Sequence, residues 1–135
     1  MWLAAGLRYA AHNQTIMFSQ ANLCNEIERV IPTLHKPLHT PECEKSIYRQ
    51  VDVLSHYVAD TVCENEVKST KQALKLIDHL YAEGNAAIKG AIENVFVFSL
   101  SGTLARLGNN RERLLRLIPM TLFTIYMNQV LHKGC

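Results

Sequence analysis

The chain has 135 residues, of which 48% are apolar and 19% charged, a balance that excludes intrinsic disorder and supports one domain able to bury its own core without a metal or disulfide. The net charge of +2 conceals a division: residues 99–135 hold Arg106, Arg111, Arg113, Arg116 and Lys133 against Glu112 alone, so the first 98 residues are net acidic. No apolar run approaches the roughly 18 residues of a membrane span, and no P-loop, GxGxxG, HExxH or GxSxG pattern occurs.

The opening residues, Met1-Trp2-Leu3-Ala4-Ala5-Gly6-Leu7, lack the basic lead and apolar length of a secretory signal. Residues 1–18 read as an N-terminal extension, either a short amphipathic helix or an over-extended start ahead of Met17; a single helical domain is expected over residues 19–135. Ser19 is placed to cap a helix from Gln20 to Val30, with Leu23, Ile27, Val30 and Ile31 on one face. Pro32, Pro37 and Pro41 then predict an extended connector. Thr40-Pro41-Glu42 has cap, proline and acid in the order of a helix start. The pattern predicts one helix from Pro41 to about Glu64, about 36 Å long. Ile47, Val51, Leu54, Val58 and Val62 form its buried stripe, and Val53 and Tyr57 a second contact surface on the far side.

A further helix over Asn65–Glu83 turns Val67, Leu74, Ile77, Leu80 and Tyr81 inward and ends at Gly84, expected as its C′ residue. Asn85 caps the stretch Asn85–Leu100, which is expected to be the centre of the domain. Its Ile88, Ala91, Ile92, Val95, Phe96 and Phe98 share an arc roughly 160° wide. Gly90 costs about 1 kcal/mol inside a helix, so a close neighbour or a bend is expected there. Ser101-Gly102 is expected to end this helix, with a single turn over Thr103–Leu107. Asn110 then caps Arg111–Leu117, and Pro119 opens a last helix to about Leu131, with Leu122, Ile125, Tyr126 and Val130 inward. No alternating run of strand length occurs. The fold class is therefore all-α: about five or six helices in a bundle, or antiparallel pairs stacked as a short ARM/HEAT-like repeat. The core list is Leu54, Val58, Leu74, Ile77, Ile88, Ile92, Val95, Phe96, Leu122 and Ile125.

Three groups carry potential chemistry. Asp52, His56, Asp60 and Glu64 follow one another at four-residue spacing, a row suited to a metal or a shared proton; their helix face points away from the apolar stripe, so a solvated or partner-binding strip is expected. His35, His39 and Cys43 have the same spacing, but Pro37 and Pro41 rule out a continuous helix, and Cys24 or Cys63 would have to complete a metal site from elsewhere. Arg106, Arg111, Arg113 and Arg116 suit phosphates, yet no aromatic residues interleave with them, so nucleic acid is not the expected partner. Cys24, Cys43, Cys63 and Cys135 are widely separated, without CxxC, and read as reduced thiols in a cytoplasmic protein.

The segments Ala91-Ile92-Glu93-Asn94-Val95-Phe96-Val97-Phe98-Ser99-Leu100 and Leu117-Ile118-Pro119-Met120-Thr121-Leu122 together resemble an uncharacterised family of small bacterial all-helical domains. The resemblance covers about a third of the chain, implies a bacterial, cytoplasmic helical domain, and carries over no catalytic residue. The first functional expectation is a non-catalytic protein-interaction domain, of immunity or adaptor type, with no metal, cofactor or membrane. Its binding surface would be Asp52, His56, Asp60 and Glu64 together with Arg111, Arg113 and Arg116. The alternative is a small metal-binding domain or metal-dependent helical enzyme using His35, His39 and Cys43, or the Asp52/His56/Asp60 row.

Overall fold

The computed structural model describes residues 20–134, all of whose regular structure is helical. In chain order these are α1 (Gln20–Val30), a 3₁₀ turn (Pro32–Leu34), the single-turn α2 (His35–Leu38) and α3 (Pro41–Glu44), then α4 (Ile47–Cys63) and α5 (Val67–Glu83). A long rod follows, built from α6 (Ala86–Ala91), a π-helical stretch (Ile92–Phe96) and α7 (Val97–Leu107). A second 3₁₀ turn (Gly108–Asn110), α8 (Arg111–Leu117) and α9 (Met120–Gly134) complete the fold. The result is an all-α bundle. Residues 1–18, Ser19 as a cap, and Cys135 lie outside the described residues.

α4 and the rod form the central pair, and the other helices pack around both. α4 meets α1, α2, α3, α5, α6, the π-helical stretch and α7, so the centre expected of Asn85–Leu100 alone is shared. The core follows the apolar stripes: Leu23 and Ile27 from α1, Leu54 and Val58 from α4, Leu74, Ile77 and Leu80 from α5, Ile88, Ile92 and Phe96 from the rod, and Leu122 from α9. Val95, Ile125 and Tyr81, also turned inward by their spacing, are only half-buried, and Val67 and Val130 are exposed.

Four local departures from the sequence pattern have physical causes. The connector after α1 is helical rather than extended, because each proline sits in the first turn of a new segment, where its missing N–H is not needed: Pro32 opens the 3₁₀ turn, Pro37 lies in the first turn of α2, and Pro41 opens α3. Leu34 and Leu38 anchor this connector in the core.

The predicted Pro41–Glu64 helix is broken at Lys45-Ser46. Thr40 accepts from the Cys43 N–H at 3.2 Å to start α3, and Ser46 accepts from the Arg49 N–H at 3.3 Å to start α4. Buried Gln50 donates its Nε2 to the Cys43 carbonyl at 2.8 Å, satisfying an acceptor that the break exposes.

α4 ends at an Asn in the left-handed region rather than at a glycine. Asn65 has φ +61°, the Glu66 N–H bonds the Thr61 carbonyl at 2.8 Å, and the Asn65 N–H bonds the Val62 carbonyl at 3.1 Å, the two bonds of a Schellman closure. Gly84, by contrast, is extended at φ −81°. It is glycine because a Cβ would lie 2.5 Å from the Leu80 carbonyl oxygen and 2.7 Å from Ile88 Cγ2. Asn85 caps α6 as its sequence predicts, accepting from the Ile88 N–H at 3.0 Å.

The largest departure is inside the rod. The Val97 N–H bonds the Ile92 carbonyl, five residues back, so one extra residue enters the turn. The apolar face rotates accordingly: Val97 is fully buried while Phe98, expected inside, is 59% exposed. The helix then runs through Ser101-Gly102, because Leu100, Thr103 and Leu104 continue the buried face. It stops at Gly108, whose φ of +57° ends α7. A Cβ at Gly90 would meet nothing within 4 Å, so this glycine admits no close contact; the π-helical turn begins just after it.

Candidate functional site

The polar row on α4 lies where its spacing places it. Asp52 is half-buried, and His56, Asp60 and Glu64 are exposed. From Asp52 to Glu64 the row extends about 18 Å at helical rise, so its members are a ladder and do not converge on one point. The His56 Nε2 and Asp52 Oδ1 atoms are 3.7 Å apart, an exposed pair screened by water. At the far end Glu64 stands against Glu66. The hydrogen bond between the two carboxyls holds the Glu64 pKa above its ordinary value, with the charges of Glu66 and Asp60 acting in the same direction. These acids crowd the C-terminal, negative end of the α4 dipole. Among the described residues no Lys, Arg or His forms an ion pair with Asp60, Glu64 or Glu66.

The same helix forms one wall of a groove of about 600 Å³ whose lining includes His56 and Ala59 from α4, Phe98 and Arg106 from α7, and Gln129 and Val130 from α9. The π-helical turn is what delivers Phe98 to it. That turn also alters the carbonyl ladder of the rod, and Gln129 donates its Nε2 to the Glu93 carbonyl at 2.7 Å. On the other side of the rod the Tyr81 hydroxyl donates to Glu93 Oε2 at 2.5 Å. The acceptor carboxylate, with some burial, pushes the Tyr81 pKa up to about 12. Lys89 Nζ donates to the Tyr81 carbonyl at 2.8 Å. These bonds pin α5 and α9 to the irregular stretch.

The arginines do not form one patch. Arg113 donates to the Asn65 side chain, next to Glu64 and Glu66, and so docks α8 onto the α4–α5 turn. Arg116 faces Glu112 at 3.5 Å with both side chains largely in solvent, and Arg111 is exposed. Arg106 lies away from these, in the groove.

His35 and His39, by contrast, are brought together. Glu28 of α1 spans them: its Oε2 is 2.7 Å from His35 Nδ1 and its Oε1 is 2.7 Å from His39 Nε2. The two rings sit 4.5 Å apart, and His39 Nδ1 contacts Glu44 Oε2 at 3.2 Å. The hydrogen bonds from His39 and then His35 hold the Glu28 carboxyl below its ordinary pKa, while the bonds to Glu28 and Glu44 raise that of His39. Cys43 is buried and takes no part; Cys24, one turn before Glu28, has its Sγ 3.7 Å from the Leu38 carbonyl, and burial, then the charges around it, raises its thiol pKa. Cys24, Cys43 and Cys63 carry no disulfide. Glu28, His35 and His39 are a group of metal-ligating type, with one donor atom from each within 4.8 Å of the others. Glu28 and Glu44 were not singled out from the sequence. A signal was there, since residues 28, 35 and 39 fall at i, i+7 and i+11, one face of a helical path that the connector nearly follows.

The sequence profile of a family described as a domain of unknown function, DUF7674, matches residues 24–132. That span takes in nearly all of the helices above, and the chain belongs to this family. No curated protein and no solved structure matches it.

Proposed function

We propose that this member of the DUF7674 family is a non-catalytic protein-binding domain, of immunity or adaptor type, that receives a basic, apolar-anchored segment of a protein partner. The observation that carries the reading is the groove between α4, α7 and α9, lined by apolar Phe98, Val130 and Ala59 with Arg106 at its wall, into which His56 is the one member of the α4 row to reach. Asp52 and Asp60 stand one turn on either side of His56, outside the groove's lining, so a partner segment that extends past the α4 wall of the groove would meet their carboxylates. The acids at the end of α4 repel one another and oppose the helix dipole; a cationic side chain arriving there relieves both. Arg113 and Arg116 are already engaged with Asn65 and Glu112, which makes the acidic face the recognising one. Cytoplasmic placement rests on the reduced thiols, and bacterial origin on the sequence resemblance. Among the described residues no helix is long and apolar enough to cross a membrane.

Selection of short random peptides on the immobilised protein tests this. Enriched peptides are expected to combine an apolar anchor with Lys or Arg, and to bind less tightly as salt rises. Their affinity should fall at least about tenfold, about 1.4 kcal/mol, both in the Asp52→Lys, Asp60→Lys, Glu64→Lys triple variant and in Val130→Glu. Failure to enrich any peptide, or peptides that bind both variants as well as the wild type, would overturn the reading.

A further inference from the structure

We propose that Glu28, His35 Nδ1 and His39 Nε2 form a binding site for a divalent ion of the zinc class, with solvent completing its coordination. The geometry is that of a site closed by protons. One carboxylate holds both imidazoles at 2.7 Å, through a different oxygen for each, and the three donor atoms lie within 4.8 Å of one another. Ligand atoms around a tetrahedral ion with bonds of about 2.1 Å stand about 3.4 Å apart. Opening the carboxylate contacts by about 0.7 Å and drawing in the wider donor pairs, which are up to 4.8 Å apart, would therefore seat the ion, with any proton on His35 Nδ1 or His39 Nε2 leaving or moving to the other nitrogen of its ring.

The surroundings supply the orientation such a site needs. Glu44 Oε2 holds His39 Nδ1 at 3.2 Å, the carboxylate–histidine arrangement that leaves Nε2 as the metal-facing nitrogen. Buried Leu34 and Leu38 fix the two turns that carry the histidines, and Leu23 and Ile27 fix the α1 backbone that carries Glu28. Two imidazoles and one carboxylate select zinc, nickel, cobalt or copper over magnesium and calcium, which take oxygen ligands. All three ligands reach solvent, so the ion has an entry path and keeps at least one position open. Its effect on the chain is to clamp the proline-rich connector onto α1, which is a role independent of partner binding in the groove.

Calorimetric titration of the chelator-stripped, full-length protein with zinc chloride at neutral pH, repeated with cobalt chloride followed by absorption spectroscopy, tests the proposal. One ion per chain is expected, and excess magnesium should not compete. His35→Ala, His39→Ala and Glu28→Gln should each weaken binding more than tenfold. Glu44→Gln should weaken it by about tenfold, as loss of an orienting carboxylate does. The positions are at the surface, so the variants should keep the helical circular dichroism of the parent. Cys24→Ser and Cys43→Ser should bind as the wild type does, and bound cobalt should show no thiolate charge-transfer band. Absence of saturable binding would overturn the site. So would binding that survives the histidine variants, or a thiolate band that disappears with Cys24→Ser.

Discussion

The row His35–His39–Cys43 and the row Asp52–His56–Asp60–Glu64 have the same four-residue spacing, yet the bundle uses them in opposite ways. On the unbroken helix α4 regular spacing keeps donors on one face but strings them along the axis, each about 6 Å beyond the last. Its acids accumulate like charge instead of meeting at a point. In the connector His35 and His39 stand one turn apart, at the start and the C-cap of the short α2, and α1 lies against that turn so that one carboxylate meets both imidazoles. Convergence of side chains needs two elements that cross. A periodic row on one element is more readily a surface for something longer than itself, which is why the α4 ladder is assigned to a partner and the Glu28 group to an ion.

The histidine row depends most on the anchor of its connector. Leu38 is fully buried and lies between His35 and His39. Leu38→Ala is expected to cost about 2–5 kcal/mol in chemical denaturation and to weaken zinc binding, while leaving the α4 ladder in place. A loss below about 1 kcal/mol would show that the histidine turns are not held by the core. Next in size is the boundary between the two rows. Ser46→Ala removes the cap of α4 and inserts the residue most favourable to a continuous helix. A loss of about 1 kcal/mol is expected, with no gain of helical circular dichroism if the break also depends on Gln50 and the Cys43 carbonyl. A more helical, equally stable variant would mean that Ser46 alone separates the rows.

What the sequence made legible follows the same distinction between one element and two. The end of α1 at Val30, the caps at Thr40 and Asn85, and most of the buried stripe are properties of a single segment, and residue type with spacing determines them. The π-helical turn is not such a property. No residue in Ile92–Phe96 announces it; it is favoured by what α9 and α5 offer, Gln129 to the Glu93 carbonyl and Tyr81 to the Glu93 carboxylate. The outward turn of Phe98, and with it the groove, was therefore hidden, and so was the meeting of Glu28 with the histidines. The Lys45-Ser46 break lies between these cases: Ser46 is a good cap, but Thr40-Pro41 upstream reads more strongly as the start of the same helix.

The smallest expected effect sharpens the contrast between paired and unpaired charge. Glu64 is exposed, and its pKa is raised by Glu66 and Asp60 from the ordinary 4.5, so the folded chain holds this proton more tightly than the unfolded chain does. The sign follows from linkage. A carboxyl raised on folding favours the native state while protonated, below the unfolded pKa, and that contribution is lost as pH rises through the folded value. At neutral pH the ionised Glu64 is therefore a local strain rather than a support. Glu64→Gln should flatten the pH dependence of stability just above pH 4.5, leaving the variant slightly ahead of the wild type at neutral pH and level with it in acid. The difference should shrink as salt screens the three acids. Denaturation curves at matched pH and two salt concentrations measure it. A variant that loses stability at neutral pH would mean that the end of α4 is internally compensated, and the case for a basic partner along this face would lose its electrostatic basis.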